Sequence, residues 1–156
     1  MRRISTYIFY IACACVCWLA VACQQSTVYN HYEHTPLAGW ERNDTLIFHV
    51  GPIPYDDHYR EEIGLRISGD YPFMGLNLVV EQRVIPSGDT RRDTLCCNLI
   101  DLQGNAKGRG ISHYQYLFHL TTLPLHKDDQ LYIAIRHDMK REILPGIADV
   151  GIKLSH

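Results

Sequence analysis

The chain has 156 residues, enough for one domain of the usual ~100–200. Apolar residues make up 46% and charged residues 21%, a balance that excludes wholesale disorder. The formal net charge is −2. Removal of an N-terminal signal carrying Arg2 and Arg3 would leave 13 basic side chains against 17 acidic ones, which gives no electrostatic footprint for nucleic acid or for an anionic membrane surface.

Arg2 and Arg3 supply the positive start of a secretory signal, and Tyr7 to Ala22 is an unbroken apolar or weakly polar run. A run of this length is marginal for spanning a ~30 Å hydrocarbon core and suits the apolar region of a signal peptide. Ala20-Val21-Ala22 then brings small residues up to Cys23, and polar Gln24-Gln25-Ser26-Thr27 follow. Small residues let a signal peptidase close on the extended backbone, and a cysteine just after the cut is similar to a bacterial lipobox. Its thiol would carry a diacylglycerol. Each buried methylene contributes roughly 0.8 kcal/mol, so two or more chains anchor stably where one does not. Residues 1–22 are therefore read as a lipoprotein signal peptide and Cys23 as the lipid attachment site. The absence of an acidic run after Cys23 favours the periplasmic face of the outer membrane over the cell surface.

Residues 23–41 are polar and aromatic without helical period, and read as a lipidated tether that begins to dock near Trp40. From residue 42 onward strand signals recur. Thr45–Val50 alternates with Leu46, Phe48 and Val50 in step, and Tyr59–Ser68 places Ile63, Leu65 and Ile67 together. Leu76–Ile85, Asp93–Ile100, Tyr114–Leu123, Gln130–Asp138 and Ala148–Leu154 continue the pattern. Period-2 alternation means strands with one buried and one wet face. Turn chemistry at Pro52, Pro54, Gly69-Asp70, Pro86-Ser87-Gly88, Gly104-Asn105 and Pro145-Gly146 separates the runs. The expected fold over 42–156 is all-β: an antiparallel β-sandwich of about seven strands, immunoglobulin-like or jelly-roll-like, with a barrel as the alternative.

Of the six cysteines only Cys96 and Cys97 remain in the domain, and neighbours on a strand point to opposite faces. They read as free structural thiols; a vicinal disulfide, an intermolecular bridge and a metal site stay open as minor alternatives. His31 and His34 form H-x-x-H in the expected tether, where no shaped cavity is expected. His49 and His119 take the polar faces of their strands, and His58, His126 and His137 neighbour aspartates in or near turns, where all three are expected to be solvated. No metal site and no cofactor is therefore expected. There is no G-x-S-x-G elbow, no H-E-x-x-H and no phosphate loop, and catalytic residues are expected to be absent. Gln103–Gly110, with Gly104, Gly108 and Gly110, reads as a flexible inter-strand loop, because a strand and not a helix follows it. Ten tyrosines leave a glycan- or peptidoglycan-binding face as an alternative, set against tyrosine as ordinary sheet filler. Arg66 and Arg136 are expected to pair with carboxylates for structural reasons.

Leu65-Arg66-Ile67 through Asp70-Tyr71-Pro72 to Asn77-Leu78 resembles the gliding motility lipoprotein GldH family of the Bacteroidetes. So does the stretch Ile135-Arg136-His137-Asp138 followed by Leu144-Pro145-Gly146-Ile147-Ala148-Asp149-Val150-Gly151-Ile152, and Trp40, Asp44 and Phe48 fit as well. The glycine-rich loop lacks the tryptophan expected near it in that family. The resemblance implies an envelope lipoprotein that supports gliding motility and the linked type IX secretion apparatus, with envelope proteins as partners. It assigns no catalytic residue; only Cys23 receives a role.

Overall fold

The computed structural model describes residues 26–156, which form strands and loops without a helix. In chain order the strands are β1 (Thr27–His34), β2 (Trp40–Glu41), β3 (Leu46–Val50), β4 (Asp57–Ser68) and β5 (Gly75–Ile85). Then come β6 (Thr90–Asn98), β7 (His113–Leu125), β8 (Gln130–His137), β9 (Ile143–Leu144) and β10 (Ile147–Ser155). Two four-stranded antiparallel sheets, β1-β10-β4-β7 and β3-β8-β5-β6, hold the eight long strands, and β2 pairs with β9.

Among the long strands the first pairs with the last, the second with the seventh, the third with the sixth and the fourth with the fifth. That is one long antiparallel ribbon wrapped around a core, the jelly-roll arrangement. The β-sandwich expected over 42–156 is thus present, and of its two named forms the strand order is that of the jelly roll.

The tether expected over 23–41 needs correction. Residues 27–34 are a full edge strand paired along β10, from Thr27 opposite Ser155 to His34 opposite Asp149. Trp40, placed at the tether's end, is fully buried and donates its indole N–H to the Asp44 carbonyl at 2.9 Å. The β-domain therefore begins by Ser26, and its first strand cannot be removed without exposing an edge of β10.

The core lies between the sheets. Ile63, Leu65, Val150, Ile152 and Leu154 face Phe48, Leu76, Leu78, Val80, Ile133 and Ile135, all at most 1% exposed. Full burial of each such side chain is worth about 1.5–3 kcal/mol. Alternation along β4 also sends Tyr59 and Glu61 inward, both fully buried. A bulge at Leu120 on β7 lets Glu61 face Thr121 while Glu62 faces His119, so the inward row shifts phase along β7.

Outside the first sheet, Tyr32 lies flat across Gly64 and Gly151, which sit opposite each other on β4 and β10. A Cβ at Gly64 would fall 2.2 Å from the Tyr32 hydroxyl oxygen, and one at Gly151 2.6 Å from its ring. The Arg66 guanidinium lies over the same ring, 4.5 Å from its centroid. Missing side chains on two strands thus make the bed that holds β1 against the sheet.

Candidate functional site

The strands run so that the two ends of the sandwich carry different loops. At one end lie Ser26, the β3–β4 loop (51–56), the β5–β6 turn (86–89), the β7–β8 turn (126–129) and His156. At the other lie the β1–β2, β4–β5, β6–β7 and β9–β10 connections. The nine residues of β10 separate the ends by about 30 Å at ~3.3 Å per residue.

Cys23 lies outside the described residues. Its nearest described neighbour is firmly held: Ser26 and His156 exchange two backbone hydrogen bonds, each 3.0 Å. The His156 ring stands 5.5 Å from the Tyr59 ring and 6.2 Å from the Tyr55 ring, and its Nδ1 is 3.2 Å from the Asp57 carboxylate. The loops here tie to one another. Ile53 N–H donates to the Asp129 carbonyl, Asp128 N–H donates to the Ile53 carbonyl, and Lys127 N–H donates to the Asp56 carboxylate at 2.6 Å.

The opposite end holds a cleft of about 1070 Å³, lined by His34, Leu37, Arg66, Asp70, Ile111 and Asp149 among others. Asp149 is buried; its carboxylate forms an ion pair with Arg66 at 3.4 Å and is in contact with His34 Nδ1. Leu37 and Ile111 are essentially fully exposed, as is Leu102 on the β6–β7 loop; Met74 on the β4–β5 loop is 62% exposed. One exposed leucine is ordinary, but four large apolar side chains on the loops of one end point to a contact surface.

The β6–β7 loop is built rather than loose. The Asp101 carboxylate accepts hydrogen bonds from the backbone N–H groups of Gln103 and Asn105, which hold it below the usual carboxylate range. Gly108 packs against the Tyr116 ring. Gly110 has φ +149°, and a Cβ there would run into the His113 carbonyl. Its reading as an inter-strand loop stands, and these contacts tie it locally to itself and to β7.

Cys96 is exposed and Cys97 buried, both unpaired, as the alternation on β6 requires. Burial pushes the Cys97 thiol up to about 12. His31 and His34, an odd number apart on a strand, sit on opposite faces: the His31 ring meets Phe48 edge-on at 6.4 Å, while His34 pairs with Asp149. They cannot share one ion, and no group of three metal-ligating side chains occurs among the described residues. His49 and His119 are exposed, whereas His137, against the expectation of solvation, is fully buried beside Trp40, with a ring nitrogen 3.1 Å from the Trp40 carbonyl. Burial holds its pKa below the ordinary value. Arg66 has the expected carboxylate; Arg136 has none within 4 Å among the described residues.

Of the tyrosines, Tyr59, Tyr71 and Tyr116 are buried in the core and Tyr32 is half-buried under Arg66. On the outer face of the second sheet Tyr132 is 37% exposed and meets His49 at 5.1 Å, beside a shallow hollow lined by Glu81, Arg83 and Arg92. The site that the residue pattern missed is the pair Glu61–Gln82. Gln82 Nε2 donates to Glu61 Oε2 at 2.7 Å in the core, and burial pushes the carboxyl up to about 7 against the opposing pull of that hydrogen bond. Strict alternation from Ile63 back to Tyr59 would have flagged Glu61 as inward-facing.

Among the described residues no helix is long and apolar enough to cross a membrane. No curated protein matches the chain. Among solved structures it is similar to a part of a family GH115 4-O-methyl-alpha-glucuronidase, BtGH115A, at 12% identity and TM-score 0.48, with 84% of this chain and 18% of that chain covered. It is also similar to the VP2 subviral particle of infectious bursal disease virus at 14% identity and TM-score 0.36, with 84% and 31% covered. The chain thus spans less than a third of either structure's length. The family model described as GldH lipoprotein matches residues 27–154, from the first described strand to the last, and the chain belongs to that family.

Proposed function

We propose that this gliding-motility-associated lipoprotein is acylated at Cys23, seated in the outer membrane on its periplasmic side, and acts without catalysis as a scaffold for envelope proteins of the gliding or type IX secretion machinery. Membership of the GldH lipoprotein family over 27–154 carries this reading. The cysteine after Ala20-Val21-Ala22 supports the anchor. The loops farthest from Ser26, with Leu37, Met74, Leu102 and Ile111 exposed around a cleft, support protein contact there. Interface cores favour such large apolar side chains, with charged groups on the rim.

Crosslinking in the native host followed by purification from outer membranes tests the scaffold. Recovery of secretion or motility components with the wild type, and their loss on Leu37→Asp/Ile111→Asp, is the expected result. Equal recovery with both would defeat it. A glycan-binding role has weaker support, since Tyr132 with His49 is a narrow platform; co-sedimentation with peptidoglycan that Tyr132→Ala abolishes would favour it instead.

A further inference from the structure

The length of chain between the anchor and the fold is unexpectedly short. Three peptide steps link Cys23 to Ser26, a reach of at most ~11 Å even when fully extended. The headgroup layer on one side of a bilayer is itself about 5–8 Å deep. A Cys23 sulfur held at the base of that layer leaves Ser26 at its surface, with little slack. Ser26 is no free end, since its hydrogen bonds to His156 fix it to the sandwich.

The surroundings of Ser26 suit this position. Tyr55, 64% exposed, projects from the β3–β4 loop one ring away from His156. Ile85, 44% exposed, stands before Pro86 at the same end. Amphipathic rings favour the headgroup level. The cross-tied 51–56 and 126–129 loops make a firm surface rather than loose strands of chain. In charge this end is acidic by a small margin: Asp56, Asp57, Asp89 and Asp128 are exposed, against Lys127 and, on the adjoining strand ends, Arg60 and Arg83. Such a face is repelled by anionic headgroups and complements the ammonium of phosphatidylethanolamine.

We infer that the end of the sandwich around Ser26, with Tyr55 and Ile85, is a lipid-facing foot that rests on a phosphatidylethanolamine-rich leaflet. This inference rests on the proposed acylation of Cys23. The foot holds the β-strands upright and presents the apolar loops at the opposite end about 30 Å from the surface.

The test uses the full chain, acylated in a bacterial host and reconstituted into vesicles of phosphatidylethanolamine and phosphatidylcholine brominated near the headgroup end of its acyl chains. Tyr55→Trp places an indole on the foot and Ile111→Trp places one at the opposite end; native Trp40 is buried near that opposite end and is a common background. The bromolipid is expected to remove most of the emission added at position 55 and none of that added at position 111. Replacing phosphatidylethanolamine by phosphatidylglycerol is expected to relieve the quenching. Equal quenching at both positions, none at 55, or indifference to the headgroup would overturn the foot, provided intact mass shows the acyl chains. A chain found without acyl groups would instead remove the anchor on which the proposed function stands.

Discussion

Replacement of Glu61 by Gln is expected to make the domain more stable in alkali and to leave it nearly unchanged in acid. Glu61 is fully buried between the sheets, with Gln82 as its hydrogen-bond partner. Its Oε1 and the Gln82 Oε1 both lack a partner. Two buried acceptors without a donor are costly, and protonation removes the carboxylate's charge and turns it into a donor. Burial, opposed by the Gln82 hydrogen bond, raises the carboxyl from 4.5 to about 7, with Asp93 adding to the rise and Arg91 opposing it. The folded state therefore keeps a proton that the unfolded chain has released, so stability falls as pH rises from 4.5 through about 7. The full loss above that window is about 3 kcal/mol. Glu61→Gln supplies the missing donor at every pH. In urea unfolding of the mature domain, the variant should match the wild type near pH 4 and exceed it by about 3 kcal/mol near pH 8.5, a midpoint shift of about 1–2 M. His137 acts in the opposite sense, since its lowered pKa costs stability as pH falls below 6.5, but it is common to both proteins and cancels in the difference. A stability difference independent of pH would refute the neutral-carboxyl account.

Gly64→Ala should lift Tyr32 off its bed and loosen β1, at about 1–3 kcal/mol, with β1 amides exchanging faster; a double variant with Tyr32→Ala should recover part of the loss. Gly146→Ala puts a side chain at φ +80° and a Cβ 2.8 Å from the Tyr71 nitrogen, so a loss of at least ~1–2 kcal/mol is expected in the same urea assay. A thiol reagent should label Cys96 and spare Cys97 in the native state, and label both after unfolding; mass spectrometry of the labelled peptide decides it.

The strands that alternate between large apolar and polar residues were readable directly: each of the seven expected runs coincides with a long strand, with ends shifted by a few residues. What the pattern hid follows from how the hidden pieces are stabilised. β1 carries Tyr29, His31 and Glu33 on one side and Asn30, Tyr32 and His34 on the other, so no face is apolar. It is held by the β10 ladder and by the Tyr32 bed on glycines of two other strands, and neither is local information. β2 and β9 have two residues each, too few for any period. Glu61 sat on the apolar phase of β4, yet a carboxylate reads as solvent-facing until its partner Gln82, on the opposite sheet, is in view. The opposite-end cleft gathers residues from β1, β4, the β6–β7 loop and β10, which only the jelly-roll wrapping brings together.

The conversion of the expected tether into β1 changes what an anchor at Cys23 could do. A flexible leash of some nineteen residues would let the sandwich sample a hemisphere of about 20–25 Å radius in any orientation. A domain that begins at Ser26 has no such freedom, because its first strand is already fastened along β10. Any partner that docks on the loops around Leu37 and Ile111 would then meet a surface whose height and direction are set by the membrane. Fixing orientation in advance removes part of the rotational cost of association, so lengthening the link before Ser26 with a Gly/Ser insert should weaken partner capture while leaving the fold and the acylation intact.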